Sequence, residues 1–587
     1  MNVLPFLVGI AVGSTAMAAG GSSVVGSKHD LSVKGPGPIK AQAERQSCVF
    51  CHVPHGGTSR ALGARPEIGN KHRPYESTTA QRNPGAPSGA TRVCLSCHDG
   101  TIAVGQTRTR TIQMNGATDN GRIPATRRSN LGTDLRGTHP VSVTGEPGSR
   151  VHAPTDRHVR LDAASQVQCT SCHDPHSEFG GTAEGRFLVR PTKASQLCTS
   201  CHEPNRGSHA TSSSPFTAAQ GNDARYASIA EAGCHACHDS HGADVSGRLL
   251  SRRPTDAEDG LCLRCHGGAA TGARLNVARE VAKGSAHSVD GSRVHDASEG
   301  PEVSGRRLPE LSPSAPRHAA CVDCHEPHDA NSVRAQAPLA PGAMAGTWGI
   351  DEAGRPARPA RFEYEVCFKC HGDSANKPPA SVFRAPQRRI EDRNLRRVFD
   401  PVAPSSHPVV APVRGGDVPS LTARYRPGSL VYCTDCHASD DGPGAGGTGP
   451  RGPHGSAYAP LLERNYSTAS PGAESPFAYA LCYKCHDRNV LLSDRSAFRL
   501  HRKHVVERQT PCATCHAAHG VSARAGTPTQ NAHLVDFDLG VVRPGRNGAL
   551  QYERLASRSG RCALTCHGAL HDPPATKAGA YGSVPPG

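Results

Sequence analysis

The chain is 587 residues long with a formal charge of +15, and only 36% of it is hydrophobic and 4% aromatic. With 63 Gly and 48 Pro spread throughout, apolar side chains alone are too scarce to build an ordinary globular core. The basic excess admits nucleic acid or anionic lipid as partners only until cofactor charge is counted, and 24 Cys require their own explanation.

Residues 1–19 are apolar or small and end in Ala16-Met17-Ala18, which reads as an export signal with an A-x-A cleavage site, although no Lys or Arg precedes the apolar run. No later apolar run is long enough to span a bilayer and no Cys lies near the cleavage site. The expectation is a soluble mature chain that is periplasmic, outer-membrane-associated or extracellular, without a transmembrane segment.

Beyond residue 19 every Cys belongs to a pair closed by His, and the twelve pairs, numbered 1 to 12 in chain order, fall into six two-site modules. Module 1 (20–130) holds Cys48, Cys51 and His52, then Cys94, Cys97 and His98. Module 2 (131–205) holds Cys169, Cys172 and His173, then Cys198, Cys201 and His202. Module 3 (206–280) holds Cys234, Cys237 and His238, then Cys262, Cys265 and His266. Module 4 (281–400) holds Cys321, Cys324 and His325, then Cys367, Cys370 and His371. Module 5 (401–495) holds Cys433, Cys436 and His437, then Cys482, Cys485 and His486. Module 6 (496–587) holds Cys512, Cys515 and His516, then Cys562, Cys566 and His567, where one extra residue separates the thiols.

C-x-x-C-H is the attachment signature of c-type haem: two thiols bond the porphyrin and the next His ligates its iron. A zinc knuckle or disulfide does not require His after the second Cys, yet all twelve pairs have it although His is only 33 of 587 residues. The pattern predicts twelve haems, or eleven if the site at Cys562 is empty. Burying roughly 400 Å² of each porphyrin at about 25 cal/mol per Å² contributes on the order of 10 kcal/mol per haem, which supplies the missing core. Folding is then coupled to attachment. Twenty-four propionates would also turn the charge of +15 to about −9 with ferrous irons, so no nucleic-acid site is read here.

The two sites of a module differ. The first usually carries a second His three residues after the haem His, giving His55, His176, His241, His328 and His519, while the second has a short apolar lead-in such as Leu197, Leu261, Val366 or Leu481. Modules 2 and 3 share a connector, Arg186-Phe187-Leu188-Val189-Arg190-Pro191 and Arg248-Leu249-Leu250-Ser251-Arg252-Arg253-Pro254. In module 5 a Gly-rich insert intervenes and His454 stands in for the +3 residue.

This alternation, with Ser27-Lys28-His29-Asp30-Leu31-Ser32, Thr138-His139-Pro140-Val141, Ser406-His407-Pro408-Val409 and the stretch from His501 to His504, resembles the doubled C-x-x-C-H family of multihaem c-type cytochromes. The resemblance implies electron transfer, bis-histidine haems and a periplasmic or cell-surface location. The expected fold is mostly coil with short α-helices, a haem-scaffolded multihaem cytochrome c with little or no β-sheet.

Only Met114 and Met344 remain as candidate Met ligands, so bis-His ligation and low potentials are expected. A +3 His leaves its own porphyrin on the proximal side and is expected to ligate a neighbouring haem. The predicted distal set is His29 and His55, His139 and His176, His209 and His241, His287 and His328, His407 and His454, and His504 and His519. His501 is the rival of His504, His295 of His287, and His533 and His571 flank the last site. His72, His152, His158, His235 and His318 read as ordinary His residues. Electron transfer through redox protein partners, without a catalytic site, is the leading expectation. A filament subunit, with His29 as donor to the next subunit, a conduit in an outer-membrane barrel, and a reductase with one open iron are the alternatives.

Overall fold

A computed structural model describes residues 24–53, 63–77, 82–116, 120–145, 150–177, 186–221, 224–243, 248–251, 260–268, 275–287, 289, 319–373, 386–413, 418–556, 558–566 and 568–571. They form two compact units, Met1–Pro204 with Asp223–Arg253, and Asn205–Asn222 with Pro254–Gly587. Sites 1 to 5 lie in the first unit and sites 6 to 12 in the second. The chain is mostly coil, punctuated by short helical turns and two-residue strand pairs. No helix among the described residues is long and apolar enough to cross a membrane.

The short helices sit where the Cys pairs are. Even-numbered sites 2, 6 and 8 end a helix, as in α1 (Gly89–His98) and α3 (Glu363–His371), whereas odd-numbered sites begin a turn, as in α2 (Cys169–Cys172). Spacing the cysteines three apart puts both thiols on one face of a turn. The turn closes when the haem His N–H donates to the first Cys carbonyl, at 2.9 Å for His52 and Cys48, 3.0 Å for His173 and Cys169, and 2.9 Å for His437 and Cys433.

Successive sites pack back to back. The first thiol of an even site lies within hydrogen-bonding reach of the first thiol of the next odd site, Cys94 of Cys169, Cys198 of Cys234, Cys367 of Cys433 and Cys482 of Cys512. A polar residue ahead of the even site locks the first of these joints. The Thr91 hydroxyl donates to Gln168 Oε1 at 2.6 Å and accepts from the Cys169 N–H at 3.2 Å, all within a buried contact. At the next joint the Cys234 N–H donates to Ser195 Oγ at 2.9 Å. Within a module the second thiols approach, Cys51 and Cys97, Cys172 and Cys201, and Cys436 and Cys485.

One sheet departs from the expectation of little or no β-structure. Four antiparallel strands, β1 (Val542–Arg543), β2 (Gln551–Ala556), β3 (Ser559–Cys566) and β4 (Ala569–His571), pair around a central β3. Strand β3 contains both cysteines of site 12. The extra residue is the reason this is possible: on a strand, residues four apart share a face, whereas residues three apart do not. Cys562, Leu564 and Cys566 therefore share a face, with Leu564 buried against Val535, Phe537 and Val542.

Candidate haem-ligating site

The described histidines come together in pairs. Ring centroids are 6.0 Å apart for His29 and His98, 6.0 Å for His52 and His176, 6.1 Å for His139 and His202, and 6.1 Å for His173 and His241 in the first unit. In the second unit they are 6.2 Å for His209 and His266, 6.3 Å for His287 and His371, 6.1 Å for His325 and His454, and 5.7 Å for His437 and His519. His501 faces His516 at 6.4 Å and His504 faces His571 at 6.1 Å. His407 lies close enough to His486 to depress its basicity.

Two imidazoles on opposite sides of one iron would show this spacing. A metal–nitrogen bond of about 2 Å on each side, with ring centres roughly 1.2 Å behind the ligating nitrogens, sets the centroids about 6.3 Å apart. Direct ring stacking would bring them closer. Among the described residues no three His, Cys, Asp or Glu side chains gather as a metal cage, so the arrangement is one of isolated pairs.

Many of these rings have the far nitrogen anchored to backbone. Nδ1 meets the carbonyl of Ser129 at 2.7 Å from His98, of Arg186 at 2.8 Å from His173, of Pro453 at 2.7 Å from His287, of Ala343 at 2.7 Å from His325 and of His533 at 2.9 Å from His516. A ring that donates from Nδ1 to a carbonyl leaves the Nε2 lone pair for a metal, in the orientation fixed by that bond. Burial first, then the facing ring, pulls His202 and His241 down to about 4 and His519 and His501 down to about 3, so both members of a pair are neutral at pH 7, the form that ligates.

The anchoring carbonyls expose a repeat that sequence reading caught only in part. The connector of modules 2 and 3 recurs as Pro460-Leu461-Leu462-Glu463 and His533-Leu534-Val535-Asp536. In each case the first carbonyl meets the Nδ1 of the odd-site His, the second residue has positive φ, and the fourth N–H donates to the second Cys carbonyl. The φ values are 58° at Phe187, 53° at Leu249, 58° at Leu461 and 62° at Leu534. A bulky residue in this region costs on the order of 1 kcal/mol, and its recurrence at four sites marks a fixed mould for the odd-site imidazole. The signal was a bulky residue followed by Leu or Val, hidden because the first residue varies.

Placement of the remaining candidates differs. Of the +3 residues, His176, His241 and His519 face the His of the site two earlier in the chain, and so does the stand-in His454. His29 faces His98 of its own chain. His328 Nδ1 meets Glu326 Oε1 at 2.8 Å. His504 faces His571, while His55, His295, His318 and His567 lie outside the described residues. His72 is buried with Nε2 3.0 Å from Asp99, His158 pairs with Asp156, and His235 stacks on Tyr226. His152 Nδ1 meets the Ala153 carbonyl at 2.9 Å.

The described C-x-x-C-H turns fit covalent haem, with both thiols on one face and His one residue on. Site 12 as a strand does not. Four residues of strand separate Cys562 from Cys566 by about 13 Å, twice the roughly 6 Å of a helical turn. Both thiols can reach one porphyrin only if β3 re-forms as a turn.

A family model described as the doubled CXXCH motif matches residues 162–207 and 227–271. The chain carries the haem c signature. Each match spans two consecutive sites, 3 with 4 and 5 with 6. No curated protein matches the chain.

Proposed function

We propose that this protein is a dodecahaem c-type cytochrome that carries electrons through twelve covalently bound, mainly bis-His haems in respiratory or extracellular electron transfer. The observation that carries the reading is the set of facing imidazoles at 5.7 to 6.4 Å, each set beside a two-thiol turn. Haem, bound there, supplies an iron that accepts and releases one electron. The protein's part would be to hold an iron between two facing imidazoles, many of them anchored to backbone through Nδ1, which would exclude exogenous ligands and favour low potential. Neighbouring thiols run through sites 1 to 5, and again through sites 7 to 12, in unbroken succession, which supports a continuous row of haems.

Export follows from the reading of residues 1–19, which lie outside the described residues, and the partners are redox proteins. A barrel-held conduit and a filament are distinguished from a free carrier by imaging the extracellular and outer-membrane fractions. The odd geometry of site 12 favours one second reading, a single open iron there with reductase activity. Intact mass, spin state and CO binding test both. The expected result is twelve haems, a low-spin ferric spectrum and no CO complex on reduction. A persistent high-spin population at several sites sinks the electron-carrier reading, and one CO-binding haem that turns over nitrite or hydroxylamine establishes the enzyme.

A further inference from the structure

The facing pairs obey a register. Even-site histidines face a His from upstream in their own module: His98 faces His29, His202 faces His139, His266 faces His209 and His371 faces His287. Odd-site histidines face a His supplied by the next module: His52 faces His176, His173 faces His241, His325 faces His454 and His437 faces His519. Modules 1, 2 and 4 thus close their second iron themselves and leave their first to be closed by the module that follows.

Such a relay needs an ending. Site 11 is the last odd site of the twelve. Opposite His516 stands His501, at 6.4 Å. Its Nδ1 is 2.7 Å from Ser496 Oγ, and Ser496 is itself buried, so the ring is anchored through the far nitrogen as the other paired rings are. Three residues on, His504 has Nδ1 2.9 Å from the Leu500 carbonyl and faces His571 rather than His516. The two histidines of this stretch therefore address different partners and do not compete for one.

We propose that His501 is the distal iron ligand of site 11, while His504 addresses a different partner, His571, and not this iron. This deepens the bis-His reading and rests on it. Modules 1, 2, 4 and 5 borrow a ligand from their successor and module 6 does not need one, because its upstream segment carries two histidines where a module ordinarily needs one. It follows that the register assigns no iron of this chain to His55.

The test uses the full-length, haem-loaded protein with high-spin ferric haem counted against total haem, and covalent haem number checked by intact mass. His501→Ala is expected to convert one iron in twelve to high spin, both alone and on top of His504→Ala. Combining His501→Ala with His516→Ala is expected to disturb one iron only, since both act on the same one. Added imidazole should restore the low-spin state in His501→Ala, which separates an opened site from a misfolded chain. If His501→Ala opens no iron, alone or in the His504→Ala background, the proposal is overturned. If His501→Ala and His516→Ala add to two disturbed irons, the pairing is wrong. The unsubstituted protein is the control for the underlying reading: high-spin or non-haem signals there defeat bis-His ligation itself, independently of His501.

Discussion

At the scale of single residues, the facing histidines and His72 differ in which nitrogen the protein occupies. His173 and His325 spend Nδ1 on a carbonyl and leave Nε2 for the facing ring, whereas His72 spends Nε2 on Asp99 and leaves only a buried Nδ1. Carboxylates are sorted by their surroundings too. Glu363, at the start of α3, is buried and accepts from the Thr434 hydroxyl beside site 9, and burial pushes its carboxyl up to about 7 against the usual 4.5. A carboxyl with a raised folded-state pKa is stable when protonated, so its contribution is intact below about pH 4.5 and is lost as pH rises toward 7. Glu363→Gln should remove that loss. Chemical denaturation of the holoprotein at pH 5 and pH 8 is expected to show the wild type losing up to about 3 kcal/mol more than the variant, from roughly 2.5 pH units at 1.36 kcal/mol each. Equal pH dependence of the two proteins would show that the carboxyl stays ionised.

At the scale of elements, the joint between α1 and α2 shows how one haem turn is set on the next. Thr91→Val keeps the shape but leaves the Cys169 N–H and one Gln168 lone pair unpaired in a buried contact, at a cost of about 1–3 kcal/mol. Hydrogen exchange should quicken at 89–98 and 169–172 while the haem count stays unchanged, and protection equal to wild type would remove Thr91 from the joint. This joint was not legible in the sequence, because Thr91, Ser195 and Glu363 share a position near the lead-in of an even site but not a residue type. The Cys pairs and their His were legible outright, since covalent chemistry tolerates no substitution. Candidate distal histidines were legible as residues but not as partners: a +3 offset says that the ring turns from its own porphyrin and not that it passes over one site to meet another. The strand at Cys562 was hidden for a related reason. The extra residue reads in sequence as a looser turn, and only the pairing of Tyr552 with Cys562 and Val542 with Cys566 shows that it also suits a sheet.

At the scale of the whole molecule, the apolar cores are small and each is gathered at an attachment site. Ile350, Tyr364, Phe368, Phe399 and Val409 form one cluster, with Cys433 packed against it; Ala478, Tyr479, Leu492 and Val505 form another, against Cys482 and Cys512. A cluster of four or five side chains contributes about 10 kcal/mol at 1.5–3 kcal/mol each, while ordering the surrounding chain costs about 1.5 kcal/mol per residue. The protein by itself therefore cannot hold the structure. On the proposed reading, porphyrin burial, on the order of 10 kcal/mol at each site, together with thioether and iron bonds that close loops between distant segments, would add to the favourable side. The pairing of His52 with His176 ties segments more than a hundred residues apart, so losing its iron frees a long loop rather than a turn. Apoprotein produced without covalent haem attachment is accordingly expected to have the far-UV spectrum of an unfolded chain and unprotected backbone amides throughout. The same chain carrying its full haem complement should unfold cooperatively. Retention of helical signal and slow-exchanging amides at Gly89–His98 or Glu363–His371 in the apoprotein would mean that the polypeptide, and not the cofactor, provides the core.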